Sequence, residues 1–290
     1  MTTYRVPHFL VIGAQRSGTS WLHRELNRHP EISMPPLKEL HYFDYVDRHH
    51  YHWNEKRRYT QHLQKAMEDI KKLKINPHRA LFYWKYFVGR RSDRWYASLF
   101  DSKKGTNKIT GEATPAYANL SLEMWTHVRA AFPEIKLIFI MRDPVERVWS
   151  NLVRKEVRNK GCHISVLTDQ KIRAALENKL YYVNSTYSET IETIESVFDQ
   201  GNILYLFYDE LKENPGSLYD RLCAFLEVSQ LGDGVVDVKN ANAASSNLAE
   251  EIPDQVVQLV MDNMRGEYVW LSNRFSGGYP HSWVSRYPKL

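Results

Sequence analysis

The stretch VIGAQRSGTSWL, residues 11–22, decides how this chain is read. An apolar run, FLVIG, passes into a turn holding Gly13 and Gly18, and SGTSWLHREL then continues as a helix from about Thr19 to Arg28. Strand, glycine turn and helix in that order describe a phosphate-binding loop, whose usual pattern is G-x-x-x-x-G-K-[ST]. The two glycines have that spacing, but Thr19 and Ser20 stand where the lysine and its hydroxyl neighbour belong. In that pattern the lysine reaches the β- and γ-phosphates and the hydroxyl holds Mg²⁺. Without the lysine, the turn still offers an anion its backbone N–H groups and the positive end of a helix. Arg16, Ser17, Thr19 and Ser20 add one cation and three hydroxyls.

Two more apolar runs, KLIFIMRDP (136–144) and NILYLFYDEL (202–211), alternate with amphipathic patterns in SLEMWTHVRAAF, VERVWSNLVRKEV, YSETIETIESVF and SLYDRLCAFLEV. Continuous apolar strands separated by helices predict an α/β fold: a central parallel sheet covered by helices on both faces. The length of 290 residues fits one domain over 1–290. The tail LSNRFSGGYPHSWVSRYPKL, from about residue 271, is rich in turn residues and reads as a loop with a tight turn at its paired glycines. Ligands of such sheets lie beyond the carboxyl ends of the strands. There MRDPVERVWS places Arg142 at a strand end and Ser150 about two turns along the next helix, a possible grip on a second phosphate. The competing reading of Arg142 is an ion pair with Asp143 or Glu146.

Composition narrows the class. With 43% hydrophobic and 25% charged residues the chain reads as globular. It has no apolar run near the roughly 18 residues a membrane span needs. A first strand near residue 8 leaves no room for a signal peptide, and two cysteines in unrelated contexts suit a reducing compartment, so the expected location is cytoplasmic. The net charge of +5 is uneven: residues 48–108 hold 16 Lys/Arg against 5 Asp/Glu, interleaved with Trp53, Tyr59, Phe82, Tyr83, Trp84, Tyr86, Trp95 and Tyr96. That basic aromatic stretch, helical over about 45–108, is either a solvated face over an aromatic core or one wall of a cleft for an anionic or sugar-like acceptor.

With these blocks in view, the chain resembles sulfotransferases that use 3′-phosphoadenosine 5′-phosphosulfate (PAPS). QRSGTSWL is similar to their 5′-phosphosulfate loop, and RDPVERVWSN to their 3′-phosphate motif. KELHYFD (38–44) resembles the catalytic segment of the heparan-sulfate and carbohydrate type and its bacterial relatives. RWYASLF, GEATPAYA and ILYLFYDELKENP followed by AFLEV fit the same order, over about residues 8–228.

The resemblance implies roles. Gln15, Arg16, Ser17, Gly18, Thr19, Ser20 and Trp21 would hold the phosphosulfate, and Arg142 and Ser150 the 3′-phosphate. Arg274, Gly277 and Gly278 would close over that phosphate. Arg16 stands where many members have a catalytic lysine, and Glu39 is the implied base for an acceptor hydroxyl or amine. His41 assists the base, orients the acceptor, or is a histidine of the wall. Thr114, Pro115 and Tyr117 shape the acceptor pocket or form a structural turn. Ala113 occupies a position that commonly carries a functional lysine in the heparan-sulfate type, which argues against a heparan-like polymer. PAPS would be the donor and PAP the product, with a small-molecule or carbohydrate acceptor, no metal and no nucleic acid.

Three rival readings are weighed. A small-molecule kinase using ATP should show Lys after Gly18 and an Asp at a strand end, where LIFIMRD gives Arg142 before Asp143. HYFDYVDRHHYHW (41–53) is rich in His and Asp, yet matches no zinc spacing. A non-enzymatic nucleic-acid binder fits the basic segment, but no nucleic-acid motif accompanies it.

Overall fold

The computed structural model describes residues 2–47, 55–72, 76–100, 108–230 and 252–287. Five strands, β1 (Phe9–Gly13), β2 (Ile32–Ser33), β3 (Ile109–Ala113), β4 (Lys136–Met141) and β5 (Ile203–Phe207), form one sheet in the order β2-β3-β1-β4-β5. Every neighbouring pair is parallel. The helices among the described residues are α1 (Thr19–Arg28), α2 (Phe43–Val46), α3 (Glu55–Lys71), α4 (Pro77–Val88), α5 (Asp93–Ser98) and α6 (Leu122–Ala131). They continue as α7 (Pro144–Glu156), α8 (Asp169–Leu176), α9 (Tyr187–Glu195), α10 (Tyr208–Glu213), α11 (Pro215–Leu226), α12 (Asp254–Arg274) and α13 (Tyr279–Ser285).

The expected parallel α/β architecture is what the chain adopts, and side-chain alternation explains it. Leu10 and Ile12 of β1 join Leu137, Phe139 and Met141 of β4 in one core, against α6, α7, α9, α12 and α13. Phe9 and Val11 join Ile138 and Ile140 in a second core on the other face, against α1, α10 and α11. Strands buried on both faces read as unbroken apolar runs, which is why β1, β4 and β5 are visible in the sequence.

The basic segment divides. Phe82, Tyr83, Tyr86, Trp95 and Tyr96 are core, whereas Tyr59 and Trp84 are exposed. Trp53 lies outside the described residues, as do 48–52 of the His-rich stretch. The expectation for the tail is corrected: residues 271–274 finish α12 and 279–285 form α13, with a turn only between them. Gly277, at φ +77°, supplies the left-handed residue of that turn. Trp283 of α13 is fully buried, donates from its indole N–H to Asp209 and anchors the helix in the first core.

Candidate active site

Beyond the carboxyl end of β1 the chain turns through residues 14–18 into α1. Gly18 is the N-cap, at φ +95°, with no side-chain cap. A Cβ here would lie 2.8 Å from Leu211 Cδ2, so the turn needs glycine for conformation and for space. The first amides of a helix have no intrahelical acceptor, and Gly18 at the N-cap has no side chain to cover them. The donor set thus suits an anion. Arg16 sits in this turn at φ +71°. Its Nε donates to Ser150 Oγ at 2.9 Å, and its carbonyl accepts from Arg142 Nη1 at 3.2 Å. Residues from two strand ends therefore meet at one point. Burial, with Arg154 and Arg142 nearby, lowers the Arg16 pKa to about 10, so it stays charged at neutral pH. Ser17 is fully buried, and Trp21 is packed in the second core.

Arg142 makes the ion pair that the sequence left open. Its Nε and Nη2 donate to Glu146 Oε2 at 2.9 and 2.8 Å, and its guanidinium lies 4.4 Å from the centre of the Tyr208 ring. Lys212 and Arg286 approach the other Glu146 oxygen at 3.3 and 3.5 Å. Together these pull the Glu146 carboxyl below its usual range against a burial that pushes it up. The tail reaches this cluster by a different residue from the one expected. Arg274 pairs instead with Glu195 Oε1 at 2.6 Å. It is Arg286 that meets Asp209 and Glu146, while Tyr268 and Tyr287 donate to Asp143 at 2.6 and 3.0 Å.

The KELHYFD segment crosses the mouth of the same site. Glu39 and His41 have φ of +61° and +54°, so with Arg16 they make three of the four non-glycine residues at positive φ among the described residues. Such backbone costs about 1–3 kcal/mol per residue and persists where surroundings impose it. What imposes it is Glu112, buried in β3. Leu40 N donates to its Oε2 at 3.1 Å and Thr114 Oγ1 at 2.7 Å. Tyr96 and Tyr117 hydroxyls donate to Oε1 at 2.5 and 2.8 Å. Burial pushes the Glu112 carboxyl up while these four donors pull it down. Thr114 and Tyr117 are fully buried in this network, which corrects the reading of them as pocket residues; Pro115 alone of the three lines the cleft. Removing the carboxylate strands several donors, each at about 1–3 kcal/mol. Glu112→Ala should therefore lower stability by roughly 3 kcal/mol or more, read as a drop in the urea midpoint.

Glu39 itself is 40% exposed. Its Oε2 lies 3.4 Å from His41 Nε2 and 3.8 Å from Arg58 Nη1, and its Oε1 lies 3.6 Å from Lys38 Nζ. Lys38 Nζ also donates to Ser20 Oγ at 2.8 Å, so one ammonium connects the loop to the carboxylate. Buried His41 completes the set through Nδ1, 2.6 Å from Asp44 Oδ2. Burial raises the Asp44 pKa to about 7.

Loop and carboxylate face a cleft of about 810 Å³. Among the described residues its lining holds six Lys/Arg, namely Arg16, Lys38, Arg58, Lys65, Arg154 and Lys155, against the single carboxylate of Glu39. Arg58, His62 and Lys65 come from α3, so the basic segment supplies a cleft wall as well as core. Arg154 and Lys155 were not foreseen, although Arg154 follows Ser150 by one helical turn and so shares its face. Among the described residues no group of three or more His, Cys, Asp or Glu is placed to hold a metal ion.

Residues 7–232 match the model of the Sulfotransferase family, well over half of the chain. The protein belongs to the sulfotransferase family. It is 30% identical over 147 residues to the membrane-associated sulfotransferase kil1 of Dictyostelium discoideum, 49% of this chain and 21% of that protein. Over 267 residues it is 24% identical to carbohydrate sulfotransferase 15 of Homo sapiens, 79% of this chain and 45% of that one. The chain thus spans from about a fifth to less than half the length of these curated relatives. Among solved structures, the sulfotransferase from Alicyclobacillus acidocaldarius superposes with a TM-score of 0.66 at 22% identity, covering 96% of this chain and 98% of that one. The sulfotransferase domain of the Synechococcus PCC 7002 olefin synthase gives 0.54 at 18% identity, covering 90% and 95%. These likenesses show the fold. No helix among the described residues is long and apolar enough to cross a membrane.

Proposed function

We propose that the protein moves a sulfuryl group from PAPS to a hydroxyl, or an amine, of an acceptor, with Glu39 as the base. One observation carries the reading: the anion-binding turn and the Glu39 carboxylate face the same basic cleft, bridged by Lys38 at 2.8 Å from Ser20 Oγ and 3.6 Å from Glu39 Oε1. PAPS would supply a sulfuryl group already activated by its phosphate. The protein's part is positioning and electrostatics. The turn at 15–20 and the Arg16 guanidinium hold the phosphosulfate end and offset charge on the departing phosphate. Glu39 takes the acceptor proton on a carboxylate oxygen, and His41, fixed through Nδ1 by Asp44, holds that carboxylate in place. The loop lacks the lysine of a nucleotide kinase because nothing beyond one phosphosulfate has to be cradled.

A carbohydrate acceptor is the first choice, supported by the KELHYFD resemblance and by relatives named carbohydrate sulfotransferase 15. A single domain over 1–290 fits a core that runs from Leu10 to Trp283. A reducing compartment such as the cytoplasm fits two free cysteines, exposed Cys162 and buried Cys223. Thermal unfolding tests the reading: PAP should raise Tm without metal, and ATP with Mg²⁺ should not. The reverse pattern would establish the kinase alternative.

The 3′-phosphate is assigned to Arg142 and Ser150. Arg142→Ala should weaken PAP binding by about 2–3 kcal/mol, the scale of a charge-assisted bond. Binding of an analogue without the 3′-phosphate should change little. Equal losses for both nucleotides, or a fall in Tm with no loss of PAP affinity, would leave Arg142 as the partner of Glu146 and nothing more.

A further inference from the structure

The basic cleft has a neighbour of opposite character. A second cavity, also about 810 Å³, shares Gln15 and Arg58 with it. Arg58 lies 3.8 Å from Glu39, so the two spaces meet beside the proposed base. Among the described residues, Arg58 is the one Lys or Arg that lines the second cavity; the acidic residues there are Asp44 and Glu189. A polyanion therefore finds six cationic side chains in the first space and only the shared Arg58 among the described lining of the second.

Two further features say what fits. Leu122, Leu180 and Val183 line the cavity, and at 55%, 47% and 40% exposure they are apolar side chains that the fold leaves in water. Asp44 lines the same space with a side chain only 8% exposed. His41 occupies its Oδ2, and its buried Oδ1 meets no hydrogen-bond partner among the described residues. A buried carboxylate oxygen without a donor is costly, and a ligand hydroxyl would satisfy it.

We propose that this second cavity holds the body of the acceptor, and that the acceptor is an uncharged, partly apolar alcohol such as an alkyl or aryl glycoside. The reacting hydroxyl then lies at Glu39, a second hydroxyl donates to Asp44 Oδ1, and the apolar part covers Leu122, Leu180 and Val183. The assignment rests on the sulfotransferase reading above, which leaves the basic cleft to the anionic donor.

Calorimetry on the full chain, with and without saturating PAP, tests it using methyl, hexyl and octyl β-D-glucoside below their micelle concentrations, and a heparin tetrasaccharide. Octyl glucoside should bind at least tenfold more tightly than methyl glucoside, as each buried methylene adds to the transfer free energy. Leu180→Asp and Val183→Asp, both at exposed positions, should each remove most of that chain-length dependence and leave PAP binding unchanged. Asp44→Asn should weaken all three glucosides by a similar factor. Equal affinity for methyl and octyl glucoside would overturn the proposal. So would a chain-length dependence that survives both Asp variants, or heparin binding that those variants abolish. Failure of PAP to bind would count against the sulfotransferase reading instead, and the measurements without PAP would still decide the cavity.

Discussion

Glu39→Gln should reduce turnover on the order of 10²–10⁴-fold, because glutamine keeps the shape of the carboxylate but cannot take the acceptor's proton. PAP affinity should be nearly unchanged, since Glu39 touches His41, Lys38 and Arg58 and not the turn at 15–18. His41→Ala is the comparison. A smaller loss there keeps histidine as the residue that positions the carboxylate, and a larger one makes the imidazole the base. A Glu39→Gln enzyme turning over near the normal rate would sink the proposed mechanism.

Arg16→Ala should lower turnover on the order of 10²–10³-fold, as for loss of one donor aimed at developing negative charge. PAP affinity should fall far less, because the uncapped amides of α1 still face the anion. Two companions separate causes. Arg16→Lys keeps charge without the planar fork and should recover part of the rate. Arg16→Gly relaxes a backbone held at φ +71°, so it should be more stable than Arg16→Ala yet equally slow. A rise in KM alone in Arg16→Ala would make Arg16 a binding residue.

How far the sequence reached can be traced residue by residue. The opening turn and α1 were legible because glycine spacing and helix periodicity are local signals, and α1 spans Thr19–Arg28 as expected. β2 was not, since Ile32–Ser33 is too short for any period. β3 hid inside ITGEA because its buried face carries a glutamate, and only the four donors around Glu112 explain how that carboxylate can be interior. The tail misled because Gly277, Gly278 and Pro280 read as loop punctuation, whereas Pro280 sits in the first turn of α13, where proline is tolerated. Motifs singled out Arg16, Glu39, Arg142 and Ser150, and the structure brings Arg16 into contact with Arg142 and Ser150. Arg58 and Lys65 were visible only as charge, and Lys38 only as the first residue of KELHYFD, because neither says which way a side chain points. Arg274 pairs with Glu195, and the tail residue that reaches the Glu146 cluster is Arg286, twelve positions on.

The order of strands has a consequence for how the chain is made. β1 lies at the centre of the sheet, with Phe9 paired to Gly111 on one side and Lys136 on the other. The first of these five strands to be synthesised thus waits for partners roughly a hundred residues behind it, on the order of ten seconds at ordinary synthesis rates. Throughout that interval FLVIG has two open edges, the state in which strands pair with the wrong chain. A parallel sheet closed so late is slow by topology. Yield of folded protein should therefore respond to translation speed and chaperone supply through residues 9–13, even where finished molecules are equally stable.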